Sequence, residues 1–70
     1  MDIPDTVRKR QFPATGQWES VHVFDSNWEK EVPGVVDPDG KLDHVYDGFA
    51  PWEVTLDYAR LRNRWTKGGT

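Results

Sequence analysis

Two histidines and a surplus of carboxylates are the side chains of this sequence that could do acid–base or metal chemistry. The chain has 12 Asp and Glu residues against 9 Lys and Arg, which gives a formal net charge of −3. His22 and His44 could supply ligands to a divalent cation, with Asp43 or Asp47 completing the set. Neither the HExxH nor the HxH spacing is present. We therefore predict two half-buried strand histidines and no metal site.

A second group of closely spaced oxygen ligands lies in residues 37–43, Asp-Pro-Asp-Gly-Lys-Leu-Asp. A calcium loop places oxygen ligands at alternate positions, has a glycine at its sharp turn and is closed by a glutamate. Here Gly40 comes one ligand too early, and no glutamate closes the loop. An ordinary hairpin turn accounts for the same residues without a cation.

Motifs for nucleophilic catalysis and phosphate binding are missing from the sequence. The serines, Ser20 and Ser26, lie outside any Gly-x-Ser-x-Gly elbow, and no glycine-rich loop opens a helix. The absence of cysteine excludes disulfides, thiolate zinc sites and cysteine nucleophiles. With 70 residues, the chain has little interior in which to build a catalytic cavity. We therefore expect a protein that is not an enzyme and holds no cofactor.

Aromatic residues beside carboxylates are the strongest binding signal in the sequence. Four tryptophans cannot all be covered in so small a protein, and we expect Trp28 or Trp52, each next to a turn, to show part of its ring. Residues 17–50 hold eight acidic and two basic side chains, which favours contact with a basic protein surface. The predicted protein-binding residues are Trp28, Trp52, Glu29, Glu31, Asp43 and Asp47.

The first hypothesis is thus a small accessory or regulatory module, encoded by a phage or a plasmid, that binds another protein through this aromatic and acidic surface. One alternative is a structural or assembly subunit that associates with copies of itself through a sheet edge or its N-terminal arm. A further alternative is nucleic-acid binding through a basic C-terminal helix, which the net acidic charge disfavours. The candidate residues for that role are Arg60, Arg64, Lys67 and Trp65.

Tryptophans, a hairpin turn and a strand tyrosine follow one another in the middle of the chain. The residues are Trp28-Glu29-Lys30, the turn at 37–41, Tyr46 and Trp52-Glu53. In this order they resemble the opening tryptophan, first hairpin turn, aromatic strand and closing tryptophan of a WW domain, and the resemblance implies a proline-rich ligand. The segment between Trp28 and the turn is longer than in that family, and the proline that packs on the first tryptophan is missing after Trp52. We therefore attribute the likeness to shared hairpin chemistry.

Three strands are predicted to position these residues. Residues 17–24 and 28–36 are rich in β-branched and aromatic side chains. Because both parities of the first run include apolar residues, we expect that strand to be central or covered on both faces. Pro33 predicts that the second strand is an edge or carries a bulge. The Asp-Pro-Asp-Gly turn leads to a third strand, in which Leu42, His44 and Tyr46 share one face.

Residues 51–67 predict a helix, although residues 52–58 also alternate as a strand would. Val54, Tyr58 and Leu61 recur at helical spacing, Pro51 suits the first helical position, and glycines 68 and 69 end the segment. The predicted fold is α+β: a small antiparallel three-stranded β-meander packed against one C-terminal amphipathic α-helix.

The chain is expected to form one domain at 17–67, preceded by an irregular arm at 1–16 and followed by a flexible tail at 68–70. Val7 and Phe12 are predicted to lay the arm across the core, with a short helical turn after Asp5. The first ten residues are rich in charge and contain no apolar run. We therefore expect a cytoplasmic protein without a signal peptide or a membrane span.

Overall fold

The sheet and the helix have the arrangement predicted from the sequence. The computed structural model describes residues 3–8 and 10–68, with side chains as far as residue 65. Its elements are β1 (Glu19–Asp25), β2 (Lys30–Val36), β3 (Leu42–Val45) and α1 (Glu53–Gly68). The strands form one antiparallel sheet in the order β1-β2-β3, and α1 packs against it. The predicted α+β fold is confirmed.

The expectation that Pro33 would make β2 an edge strand is wrong. In the strand order, β2 is the central strand and β1 lies at an edge. Pro33 is tolerated in the middle of the sheet because of the direction in which its nitrogen points. The Pro33 carbonyl accepts the Tyr46 N–H at 2.8 Å, and the nitrogen and carbonyl of one strand residue point to the same neighbour. The missing N–H therefore falls on the β3 side, at the point where β3 ends after Val45.

The turn between β2 and β3 forms as predicted and is held by one aspartate. The Asp37 carboxylate accepts the backbone N–H groups of Asp39 and Lys41, each at 2.9 Å. Its carbonyl accepts the Gly40 N–H at 2.9 Å. Gly40 has φ +84°, a backbone conformation that costs other residues about 1–2 kcal/mol. Asp37 Oδ1 and the Asp37 carbonyl oxygen are thus used within the turn itself.

A β-bulge in β3 changes the faces expected for its side chains. Val35 pairs with His44 and Val36 pairs with Leu42, so Asp43 is an extra residue on β3. Leu42 packs on one face of the sheet, whereas His44 contacts the helix on the other. Uninterrupted alternation would have placed both on the same face, as the sequence predicted. The bulge also brings the Asp43 carboxylate to His44.

One face of the sheet is covered by the N-terminal arm. Val7 bridges Asp25 at the end of β1, and the Phe12 N–H donates to the Gly40 carbonyl at 3.1 Å. A single turn, closed by the Val7 N–H on the Pro4 carbonyl, lies where the short helical turn was expected. Val7 and Phe12 are buried against the sheet. The buried sheet residues in this cluster are Val23, Val32 and Val36.

The opposite face of the sheet is covered by α1. Trp18, Val35 and Ala59 form the buried cluster between them. Asn63 holds the helix in place, because its side chain accepts the Trp18 N–H at 2.8 Å and donates to the Trp18 carbonyl at 3.1 Å. The sheet is therefore a middle layer between the arm and the helix, and both of its faces are apolar for this reason.

The helix begins at Glu53, so Pro51 lies before it and not at its first position. The Val54 N–H donates to the Pro51 carbonyl at 3.2 Å, which makes the proline part of the preceding turn. Across the described residues, no helix has the length and apolar character needed to cross a bilayer.

Candidate protein-binding site

The turn at residues 47–49 lies directly on the indole ring of Trp28. A Cβ at Gly48 would overlap the carbon atoms of that ring, so only glycine lets the backbone approach so closely. The next residue, Phe49, meets the indole edge-to-face, with ring centroids 4.8 Å apart. Phe49 is 85% exposed and Trp28 is half-buried. The two rings together present a contiguous aromatic surface to solvent.

Two exposed carboxylates belong to residues that adjoin this aromatic pair along the chain or hydrogen-bond to its backbone. The Asp47 carboxylate accepts the Phe49 N–H at 2.9 Å, which keeps its charge beside the ring. Glu29 follows Trp28 in the β1–β2 turn and has φ +56°, a conformation that glycine or asparagine adopts at lower cost. Lys30 is the adjacent cation at the start of β2. Trp28, Glu29, Asp47 and Phe49 are termed the aromatic–acidic patch.

The structure brings together only part of the predicted protein-binding set. Trp28 and Asp47 meet through the 47–49 turn, and Glu29 is the neighbour of Trp28 in the chain. Trp52 stacks on the ring of His22, with centroids 4.2 Å apart and planes 11° from parallel. Glu31 is exposed on β2 opposite Phe24, and Asp43 belongs to a separate cluster on the helix side.

The most exposed tryptophan is Trp65 on α1, at 57%. Trp28 and Trp52, for which the sequence predicts partial exposure, are both half-buried. The 47–49 turn covers part of Trp28, and His22 covers one face of Trp52. Contacts between aromatic rings that are far apart in sequence therefore decide which indole is exposed.

Asp43, His44 and two tyrosines form a cluster beneath α1. His44 is buried, and its Nδ1 lies 2.8 Å from Asp43 Oδ2. The Tyr58 hydroxyl donates to the same oxygen at 3.5 Å. The rings of Tyr46 and Tyr58 meet the imidazole edge-to-face, with centroids at 4.9 and 4.3 Å. These contacts tie β3 to the helix around a cavity of about 350 Å³.

The surroundings of Tyr46 in this cluster shift the pKa of its phenol. Desolvation by burial, and then the nearby Tyr58 phenol, raise the pKa of Tyr46 above its usual 10.0. The Asp43 carboxylate orients the His44 imidazole and favours the tautomer with a proton on Nδ1. Among the side chains that the structure describes, no three His, Asp or Glu residues converge as a metal site requires.

Of the basic residues predicted for nucleic-acid binding, the structure describes the side chains of two, Arg60 and Arg64. Arg60 and Arg64 are exposed and line a groove between α1 and β1. Lys67 lies outside the residues whose side chains are described. Arg62, which the sequence did not single out, holds its guanidinium 4.5 Å from the ring centroid of Trp18. It therefore contributes to packing between the helix and the sheet.

Phe49 is the member of the patch that the sequence analysis missed. The available signal was the dipeptide Asp47-Gly48, which is typical of a turn and places the next side chain at a loop tip. What it could not indicate is that this turn lies on Trp28, 20 residues earlier in the chain.

Comparisons with protein-family models, with curated proteins and with solved structures find no match to this chain.

Proposed function

We propose that the protein is a non-enzymatic interaction module that binds a basic surface of another protein through the aromatic–acidic patch. The observation that carries the proposal is Phe49, which is 85% exposed and rests on a half-buried indole. Transferring a phenylalanine side chain out of water is worth about 1.5–3 kcal/mol. Tryptophan and other large aromatic residues are also the usual anchors of protein interfaces.

The charges around the rings indicate the chemistry of the partner. Glu29 and Asp47 are both exposed, and Lys30 is the nearby cation. Arginine or lysine side chains of a partner could pair with these carboxylates and lie over a ring face. Their attraction to the patch would also accelerate encounter. A glutamate at φ +56°, where glycine costs less, supports a role for that side chain.

The aromatic part of the proposal is tested by quantitative affinity capture with matched variants. Phe49→Ser removes the exposed ring and is expected to weaken capture of a stoichiometric partner by at least about tenfold. Its effect on the unfolding free energy should stay within about 0.5 kcal/mol, because the ring is largely in water. Leu61→Ser is the control, since Leu61 is 41% exposed on α1. Equal capture by both variants would contradict the proposal.

The acidic part is tested by removing one charge without disturbing the turn. Asp47→Asn keeps an oxygen that can accept the Phe49 N–H, and Asp57→Asn removes the same charge from the exposed face of α1. We expect slower association and a weaker salt dependence for Asp47→Asn alone. A dimer in sedimentation that Phe49→Ser abolishes would instead assign the patch to self-association.

A further inference from the structure

At Ser20 and His22, the outer edge of β1 carries backbone groups that no other part of the described chain uses. The Phe24 carbonyl points away from β2, since it accepts the Arg8 N–H of the arm at 2.9 Å. Because alternate residues of a strand point their backbone groups the same way, those of His22 and Ser20 also face outwards. Pro33, opposite His22, turns its own carbonyl to β3, which agrees with this alternation. Among the described residues, none donates to or accepts from the outward groups of Ser20 and His22.

The arm covers only one end of this edge. It pairs with β1 through Val7 and Asp25 and then crosses the sheet face to the turn at Gly40. Residues 19–22 remain uncovered, a length of about 13 Å at ~3.3 Å per residue. Exposed strand edges of this kind accept an additional strand.

A groove of about 540 Å³ runs between this edge and α1. Leu56, 41% exposed, supplies apolar surface on its helix side. Arg60 and Arg64 lie along the same side, are exposed, and form no ion pair with the rest of the described chain. Glu19 is the acidic group on the strand side, and its carboxylate accepts a hydrogen bond from Gln17 at 3.2 Å.

Ser20 adds an independent indication at the base of the groove. Its hydroxyl oxygen is buried and has no hydrogen-bond partner in the described structure. A buried hydroxyl without a hydrogen-bond partner lowers the stability of the folded state by about 1–3 kcal/mol. A ligand in the groove could provide the missing partner.

We infer that the β1 edge and this groove bind an extended acidic segment of a partner protein as a fourth strand. The segment would pair its backbone with Ser20 and His22, and alternate side chains would enter the groove. An aliphatic side chain would pack on Leu56, and Asp or Glu side chains would meet Arg60 and Arg64. This surface has the opposite charge to the aromatic–acidic patch and does not depend on it.

The probe for this inference is a blocked hexapeptide, Ac-VTETDT-NH2, which places valine, glutamate and aspartate on one face of a strand. Its control, Ac-VTKTKT-NH2, carries lysines at the acidic positions. In a ¹⁵N NMR titration of the full chain, the acidic peptide should cause saturable shifts at the Ser20 and His22 amides. The lysine peptide should bind at least about tenfold more weakly. Equal binding of both, or no saturable shift, would overturn the inference.

Matched variants separate backbone pairing from charge. His22→Pro removes an outward N–H and spares the ladder to β2, so peptide affinity should fall about tenfold. His22→Ala also loses the ring stacked on Trp52 but keeps the N–H, and it should bind like the native chain.

Arg60→Glu is a second test that does not depend on whether His22→Pro folds. Arg60 is exposed, so its substitution should leave the fold intact. It should weaken acidic-peptide binding by about tenfold, whereas Lys41→Glu makes the same charge change outside the groove and should not. Insensitivity to Arg60→Glu would refute the charge match. Concentration-dependent shifts of the Ser20 and His22 amides without peptide would refute the inference in favour of a second copy of the chain.

Discussion

Replacing Gly40 by alanine should remove a large part of the folding free energy, because two effects act at this one position. Alanine at φ +84° costs about 1–2 kcal/mol. Its Cβ would also overlap the backbone carbonyl oxygen of Phe12 and lie 3.0 Å from the carbonyl carbon. Since both atoms belong to the backbone, the arm itself has to move away from the turn.

That movement has a cost that can be estimated from the contacts it disrupts. It breaks the hydrogen bond from Phe12 to Gly40, worth about 0.5–1.5 kcal/mol, and loosens a ring that is 6% exposed. With the backbone strain and a partial loss of burial, the expected total is about 3–5 kcal/mol. A domain of 70 residues has a total stability of roughly 4–10 kcal/mol.

Gly16→Ala is the matched control, because Gly16 has φ +81° and nothing lies within 4 Å of its added Cβ. Urea unfolding followed by tryptophan fluorescence should show Gly16→Ala losing only about 1–2 kcal/mol. The difference between the two variants isolates the contact between arm and turn. A difference of less than about 0.5 kcal/mol between their losses of unfolding free energy would show that the arm does not pack against the turn at Gly40. The contact between Phe12 and this turn would then be wrong.

Three further predictions concern the helix side of the sheet. Asn63→Leu removes both hydrogen bonds to the Trp18 backbone and should lower the unfolding free energy by about 1–3 kcal/mol in urea; unchanged stability would contradict this. Ser20→Ala deletes a buried, unpartnered hydroxyl and should raise the unfolding free energy by up to about 1 kcal/mol, so a lower urea midpoint would count against it. The pKa of Tyr46 is raised by burial and by Tyr58, so its neutral form contributes stability that is complete below pH 10.0 and is lost as the pH rises through the folded-state pKa. Tyr58→Phe should lower that pKa towards 10.0 in a phenolate absorbance titration, and an unmoved pKa would show that Tyr58 is not a cause.

Local signals predicted the elements of this fold well. The turn at 37–40 and the helix after Pro51 depend on residues close in sequence, and both are present. The order of the strands depends on a contact that is not local. Pro33 argued for an edge because it lacks a donor, but its nitrogen faces β3 beyond the last paired residue, Val45. That direction could not be known before the strand register was known.

The bulge at Asp43 illustrates the same limit for side chains. Simple alternation placed Leu42 and His44 together, and one extra residue in the ladder sends them to opposite faces. The candidate site was predicted only in part, because one of its residues is also placed by a contact that is not local in sequence. Trp28 was identified from its type and its neighbouring carboxylates, whereas Phe49 joins it only because Gly48 allows the backbone onto the indole. Pairing across 20 residues leaves no periodic signal in the sequence.

Photo-cross-linking from position 49 tests the proposed function most directly. A photoreactive phenylalanine analogue at Phe49, compared with the same analogue at Leu61, reports what touches the exposed ring and what touches α1. The proposal predicts one protein adduct from position 49, attached within a segment rich in arginine or lysine, and none from position 61. Identical adducts from both positions, or adducts only between copies of this chain, would contradict it.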